Sequence, residues 1–356
     1  MSASPFDHPF LSGLLGDEET RGLVGLEAEL AAMLRFEAAL ARAEAEERVI
    51  PAAAAAAIED LCGAFRADVA ALNLGAARDG VVVPDLVRQL RAGLAEPHRA
   101  HLHFGATSQD VVDTALVLRL KELAARFDAR LAEIDTALAG LERDFGGNAL
   151  MGRTRMQDAV PITAGDRIAA WRQPLARHRA RLAELAPRLF VLQFGGAVGT
   201  LDKLGEKGPE VARRLAGLLD LAAPQRPWHT ARDGIVEFGG WLALVTGSLG
   251  KMGQDIALMA QNALGDIRLA GGGGSSAIPH KENPVGAEVL VALARYNAAL
   301  AGALAGAMVH EQERSGAAWT LEWLVLPQML AATGAALGTA GRLIGQIRSI
   351  GAQEDG

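Results

Sequence analysis

Aromatic residues are scarce in this sequence, 4% of 356 with a single tyrosine, and cysteine occurs once, at Cys62. A chain this poor in aromatics, and dominated by alanine and leucine, lacks the side chains that build and pack sheets, so thin, closely packed helices are expected. The fold class read from this is all-α. One thiol excludes an intrachain disulfide framework and fits a reducing cytoplasm, with Cys62 itself a small core residue. Basic residues are not in excess either: the formal charge is −7 and the pI near 5.7, which argues against a nucleic-acid surface. An acidic chain with an anionic substrate would still need a local basic pocket. The segment from Met1 to Thr20 has no basic stretch leading an apolar one, so no secretory leader is read there. The longest run without charge, Trp323 to Gly341, is about long enough to cross a bilayer. Pro327 interrupts it and Gly, Ala and Thr dilute it, so it reads as a buried bundle helix of a soluble, cytoplasmic protein with no membrane partner.

What is abundant is helical periodicity. From Leu23 to about Asn73 the chain is rich in Ala, Glu, Arg and Leu, with Pro51 placed to open a second helix. Gly75 to Pro84 is expected to break that pattern, a short helix to follow near Asp85 to Leu94, and a turn to begin at Glu96-Pro97-His98. Leu116, Leu120, Leu123, Phe127, Ile134, Leu138, Leu141 and Phe145 then step by fours and threes, the mark of a bundle helix of roughly 55–60 Å if it starts at Thr107. Ile168, Trp171, Leu175, Leu182, Leu185 and Leu189 repeat the step, with Pro174 expected to bend the helix. Three further helical stretches are read at about Ile235–Leu264, Pro284–Val309 and Ala318–Ile347. Helices this long in one small subunit would expose much apolar surface unless subunits share the bundle, so a homo-oligomer is expected. The domain reading is residues 1–98 as an N-terminal helical domain, 99–347 as the central bundle, and 348–356 as a short tail.

Chemistry concentrates in GGGGSSAIPHKENP, Gly271 to Pro284. Four glycines free the backbone to approach a ligand, Ser275 and Ser276 supply hydroxyls, Lys281 a cation and Asn283 a carboxamide, and Pro279 and Pro284 stiffen the far side. The stretch reads as an anion-handling catalytic loop. Thr107 and Ser108 stand where the long helix should start, in a capping pattern with Asp110 that also leaves backbone N–H groups for a carboxylate. Arg153, Thr154, Arg155 and Gln157 cluster just ahead of Pro161 and are read as a loop before a helix. Trp228 to Asp233 forms another polar knot, and Glu311 to Arg314 a third. His98, His101 and His103 lack the companion spacing of a zinc site, GAVGT lacks the order of a dinucleotide fingerprint, and GGGGSS lacks the lysine of a P-loop. No metal or other cofactor is therefore expected.

Taken together, TSQD (Thr107–Asp110) with Asp113-Thr114-Ala115, GRTRMQDAVPITAG (Gly152–Gly165), GAVGT (Gly196–Thr200) and GSSAIPHKENP (Gly274–Pro284) resemble the signature regions of the fumarase/aspartase superfamily. WHTARD (Trp228–Asp233) and the pattern Glu313-Arg314, Trp319, Glu322-Trp323, Leu326-Pro327 are most similar to its lactonising branch, with the adenylosuccinate-cleaving branch the nearest rival. The resemblance implies a fumarase/aspartase-like all-α fold whose central long-helix bundle is shared in a homotetramer, with active sites built from three subunits. It implies a small di- or tricarboxylate substrate, a 3-carboxylated or 3-sulfonated cis,cis-muconate that closes to a lactone. Ser275 would exchange the proton next to a carboxylate, and Lys281 and Asn283 would stabilise the aci-carboxylate. Thr107, Ser108 and Thr154 would bind substrate carboxylates and Gln157 orient them, with Arg153, Arg232, Ser276 and Arg314 completing the binding set.

Two departures from the superfamily pattern stand out. Many relatives carry His at the position of Arg155, where it works with a Glu aligned to Glu288 as the acid for a leaving group. A guanidinium cannot donate its proton at neutral pH. Expulsion of a carboxylate from a lactone needs no such acid, whereas expulsion of an amine does, so Arg155 favours lactone chemistry and is expected to pair with Glu288. The second departure is length: relatives usually continue into a further C-terminal helical domain that is not expected here.

Overall fold

The computed structural model describes residues 4–278 and 281–352. Pro279, expected to stiffen the loop, and the polar tail from Gln353 lie outside the described residues. The N-terminal part comprises α1 (Ser12–Leu15), α2 (Glu18–Val24), α3 (Leu26–Glu46), α4 (Ala52–Ala64), α5 (Val69–Asp79), α6 (Val83–Gly93) and α7 (Glu96–Arg99). The long helix α8 (Ser108–Phe145) leads to a hairpin of β1 (Ala149–Thr154) and β2 (Gln157–Thr163), then α9 (Ala164–Leu189), α10 (Gly208–Leu219) and α11 (Asp233–Met259). The chain closes with β3 (Ile267–Leu269), α12 (Val285–Gly306), α13 (Gly316–Gln346) and β4 (Ile347–Ile350), β4 pairing antiparallel with β3.

Helices α8, α9, α11, α12 and α13 pack around one apolar core that holds the expected periodic residues Leu120, Leu123, Phe127, Ile134, Leu138 and Leu141. The first turns of α8 belong elsewhere: Val111, Val112, Ala115 and Leu118 join a second core with α3, α4, α6 and α10. Pro174 and Pro187 both lie inside α9, which remains one helix because Ile168, Trp171, Leu175, Leu182 and Leu185 keep it anchored along its whole length. Thr107 is the N-cap of α8, and Asp110 accepts from its N–H at 2.9 Å, as the capping pattern predicts.

Three local expectations need correction. Gly75 does not break the chain: α5 runs through it and ends at Gly80, whose φ of 73° supplies the left-handed cap. Gly75 instead lets α5 and α6 approach, since a Cβ there would stand 2.6 Å from that of Asp85. Glu96-Pro97-His98 opens the short helix α7 rather than a bare turn. Arg153 to Gln157 form a β-hairpin, not a loop before a helix, with Arg155 and Met156 at its tip at φ 50° and 65°. Arg-Met carries none of the Asn-Gly chemistry that normally marks such a turn.

Cys62 is buried, as expected, and burial together with Glu37 and Glu59 pushes its thiol up to about 12. Nearby on α3, Glu44 is fully enclosed, both its oxygens lack a hydrogen-bond partner among the described residues, and burial followed by the charge of Glu37 pushes it up to about 9. His103 Nδ1 lies 2.6 Å from Glu37 Oε1, which offsets that carboxylate only. A raised acid pKa means that the folded state holds a proton the unfolded state releases. The stabilisation is therefore complete below about 4.5 and is lost as pH rises to about 9. Replacing Glu44 with Gln is expected to flatten the decline of Tm between pH 6 and 9, with a gain on the order of several kcal/mol at the alkaline end. Parallel slopes for both proteins in thermal melts across that range would refute the assignment.

Candidate active site

Four separate stretches converge on the N-terminus of α8. Asp110 is fully buried and accepts from the N–H groups of Gly195 and Gly196, each at 2.9 Å, while His229 Nε2 lies 2.8 Å from it. Gly196 has φ 69°, and a Cβ there would meet the Gly105 carbonyl at 2.8 Å, so the GAVGT turn can close on Asp110 only with glycine at this place. Gln193 joins the same group, donating to Asp110 at 3.3 Å and accepting from the Trp228 N–H at 2.7 Å. One helical turn on, Asp113 receives both arms of Arg232, at 2.6 and 3.1 Å, and the indole N–H of Trp319 at 3.2 Å.

Arg232 also donates from Nε to Glu322 at 2.8 Å, and its guanidinium carbon lies 4.8 Å from the centre of the Trp228 ring. Its side chain has no exposed surface, because Asp113 and Glu322 enclose its guanidinium within the subunit. It clamps α8 to α13. Burial alone would weaken its charge, but Asp113 and Glu322 overcome this and hold its pKa above the ordinary arginine value. One cation thus faces two carboxylates, and the imbalance falls on Glu322, which burial and the charge of Asp113 push up against the pull of Arg232. Thr107 and Ser108 stay half-buried at the open end of this network, where first-turn N–H groups of α8 remain for an anion. Arg314 joins them as an exposed residue, donating from Nε to Gln109 at 2.8 Å and from Nη2 to the Ala197 carbonyl at 3.2 Å.

The glycine-rich loop lies at the other end of the bundle. Its stem is a pair of 2.8 Å backbone hydrogen bonds between Gly273 and Asn283, beside β3 and the start of α12. Within it the half-buried Ser275 accepts at Oγ from the N–H groups of Ala277 (3.3 Å) and Ile278 (3.1 Å), and Ile278 in turn accepts from the Lys281 N–H at 3.1 Å. Donors aimed at a hydroxyl oxygen favour its ionised form, so this turn is a physical means of activating the serine. Ser276 and Lys281 are exposed, and the Asn283 amide reaches the Gly274 carbonyl at 3.4 Å. A cavity of about 310 Å³ lies under the stem, walled by Gly271 to Gly273, Asn283, Gly286 and Arg342.

The hairpin is at this same end. Arg153 pairs with Asp158 at 2.9 Å and with Asp266, which ties the hairpin to the segment ahead of β3 and leaves the arginine largely occupied within its own subunit. Thr154, Arg155 and Gln157 are exposed near the tip. Glu288 stands on the first turn of α12, and among the described residues it forms no ion pair with Arg155 in the same subunit. The expected site residues therefore form two groups toward opposite ends of α8, a helix of 38 residues and about 57 Å. Thr107, Ser108 and Arg314 are at one end; Arg155, Gln157, Ser275, Lys281, Asn283 and Glu288 are at the other.

Sequence reasoning gave Asp110 only a capping role and gave no site role to the other residues that make the first group rigid, Gln109, Asp113, Gln193, His229 and Glu322. For Gln109, Asp110 and Asp113 the available signal was the run of polar residues in the first turns of α8, beside the apolar Val111, Val112 and Ala115.

A family model described as lyase matches residues 18–296. Among curated proteins, the chain is 47% identical to a 3-carboxy-cis,cis-muconate cycloisomerase of Pseudomonas aeruginosa, covering 86% of this chain and 68% of that protein. It is 42% identical to one of Bradyrhizobium diazoefficiens, covering 92% and 74% respectively. Among solved structures, the 3-carboxy-cis,cis-muconate lactonizing enzyme of Pseudomonas putida superposes with a TM-score of 0.91 at 40% identity, over 96% of this chain and 77% of that one.

Proposed function

The chain belongs to the lyase family of the fumarase/aspartase superfamily, and from that premise we propose that it interconverts 3-carboxy-cis,cis-muconate and 4-carboxymuconolactone in a homotetramer whose active sites each draw on three subunits. The observation that carries the assembly is the separation along α8: groups toward opposite ends of a helix about 57 Å long serve one small molecule only if different copies supply them. Helix α12 supports it as well. Ala287, Val289, Leu290, Leu293 and Leu304 are its buried apolar residues, and the rest of a strongly apolar helix faces outward, as a helix that packs against other copies would.

In the cyclising direction a substrate carboxylate oxygen bonds to an alkene carbon while the Ser275 hydroxyl delivers its proton to the neighbouring carbon, next to a second carboxylate. The reverse step returns that proton to the Ser275 oxygen as the C–O bond breaks. Lys281 and Asn283 hold the carboxylate onto which charge moves, and the α8 N-terminus with Thr107, Ser108 and Arg314 from another copy neutralises a remote carboxylate. Arg155 meets Glu288 of a neighbouring copy and steadies the carboxylate that adds or leaves.

The direct test is ultraviolet-monitored loss of the conjugated diene when 3-carboxy-cis,cis-muconate is supplied, run beside the 3-sulfo analogue and adenylosuccinate. Turnover of adenylosuccinate alone would replace the proposal. Arg155→His is expected to lower kcat by about tenfold or more and to introduce a pH dependence near neutrality, since imidazole titrates there and guanidinium does not. Unchanged cyclisation over pH 6–9 would remove Arg155 from the mechanism.

A further inference from the structure

We infer that Gln109 is a positioning residue, which fixes the direction in which Arg314 offers its guanidinium to a substrate carboxylate. The inference rests on the proposed binding role of Arg314 and extends it to a residue with no surface of its own.

Gln109 is completely buried, and every part of its carboxamide is in use. Its NH2 group donates to the His229 carbonyl at 2.8 Å and to Asp113 Oδ2 at 3.1 Å, and its oxygen accepts from Arg314 Nε at 2.8 Å. The amide cannot be turned over. A flip would set its oxygen against a carbonyl and a carboxylate, and its NH2 against an arginine N–H.

The frame that fixes it is itself buried and hydrogen-bonded. His229 is held through its ring by Asp110, the next residue on α8, and Asp113 is held by Arg232 and Trp319. Only the oxygen side of Gln109 meets something free to move, because Arg314 is exposed and comes from the connection between α12 and α13. With Nε on Gln109 and Nη2 on the Ala197 carbonyl, the guanidinium plane is set by two points, and Nη1 keeps no protein partner among the described residues. An arginine held in this way loses little further freedom on meeting an anion, and that saving appears in substrate affinity.

A double-mutant cycle on the assembled enzyme, with 3-carboxy-cis,cis-muconate as probe, tests this. Arg314→Ala is expected to raise KM by about 100-fold, and Gln109→Met, close in shape but without the acceptor, by about tenfold with kcat within about threefold. In the Arg314→Ala background, Gln109→Met should change KM no further. Full additivity would overturn the positioning role while leaving the role of Arg314 intact. An unchanged KM for Arg314→Ala would overturn the binding role itself. If Gln109→Met fails to assemble, as judged by sedimentation, the Arg314→Lys protein carries the test: it keeps charge but cannot hold both anchors, and should reproduce the tenfold rise in KM with wild-type thermal stability. A wild-type KM for Arg314→Lys would then refute the positioning role.

Discussion

Ser275→Ala is expected to lower kcat by about a thousandfold or more while leaving KM, thermal stability and assembly close to wild type. The Ser275 oxygen is the proposed carrier of the transferred proton, and its surroundings suit that use. Two backbone N–H groups point at it from one turn, and the Gly273–Asn283 hydrogen bonds close the stem on which it rides. The side chain packs into no core, so its removal leaves no cavity and a stability loss is not expected. Two measurements check the prediction: steady-state cyclisation, and deuterium incorporation from solvent into the lactone, which should fall together. Wild-type turnover in a normally assembled variant would take Ser275 out of the mechanism and direct attention to another proton carrier.

The second large effect is on stability. Arg232→Met should cost about 3–5 kcal/mol, because Asp113 and Glu322 would face each other in a sealed space without their cation. Activity should be lost with the fold, since Asp113 also anchors Gln109 and Trp319. The triple variant Arg232→Met, Asp113→Asn, Glu322→Gln removes all three charges and should recover most of the loss in urea unfolding. Failure to recover any of it would mean that shape, not charge, is what Arg232 contributes.

Much of this molecule is legible in the sequence, and the parts that are not share a physical cause. The helix beginning at Thr107 and the three later apolar helices follow from a period of 3.6 in leucine and alanine, a local property that packing only reinforces. The hairpin at Arg153 is hidden because its turn forces Arg155 and Met156 into left-handed backbone, held by β1 and β2 rather than by their own preference. Gly75 is misleading because glycine serves close approach as well as chain breaking. At the site, Ser275 and Thr107 announce themselves by chemistry next to a flexible or helix-capping context. Arg232 announces itself equally, because nothing local distinguishes an arginine that faces a pocket from one sealed between Asp113 and Glu322. That difference is settled by residues 90 and 119 positions away in the chain.

The length of α8 has a consequence for inheritance. If one end of each chain works only with the opposite end of a neighbour, the smallest functional unit is a contact between copies and not a polypeptide. Two alleles broken at opposite ends, one in the glycine loop and one at Thr107, would then regain some working centres when expressed in the same cell, although neither encodes a working enzyme alone.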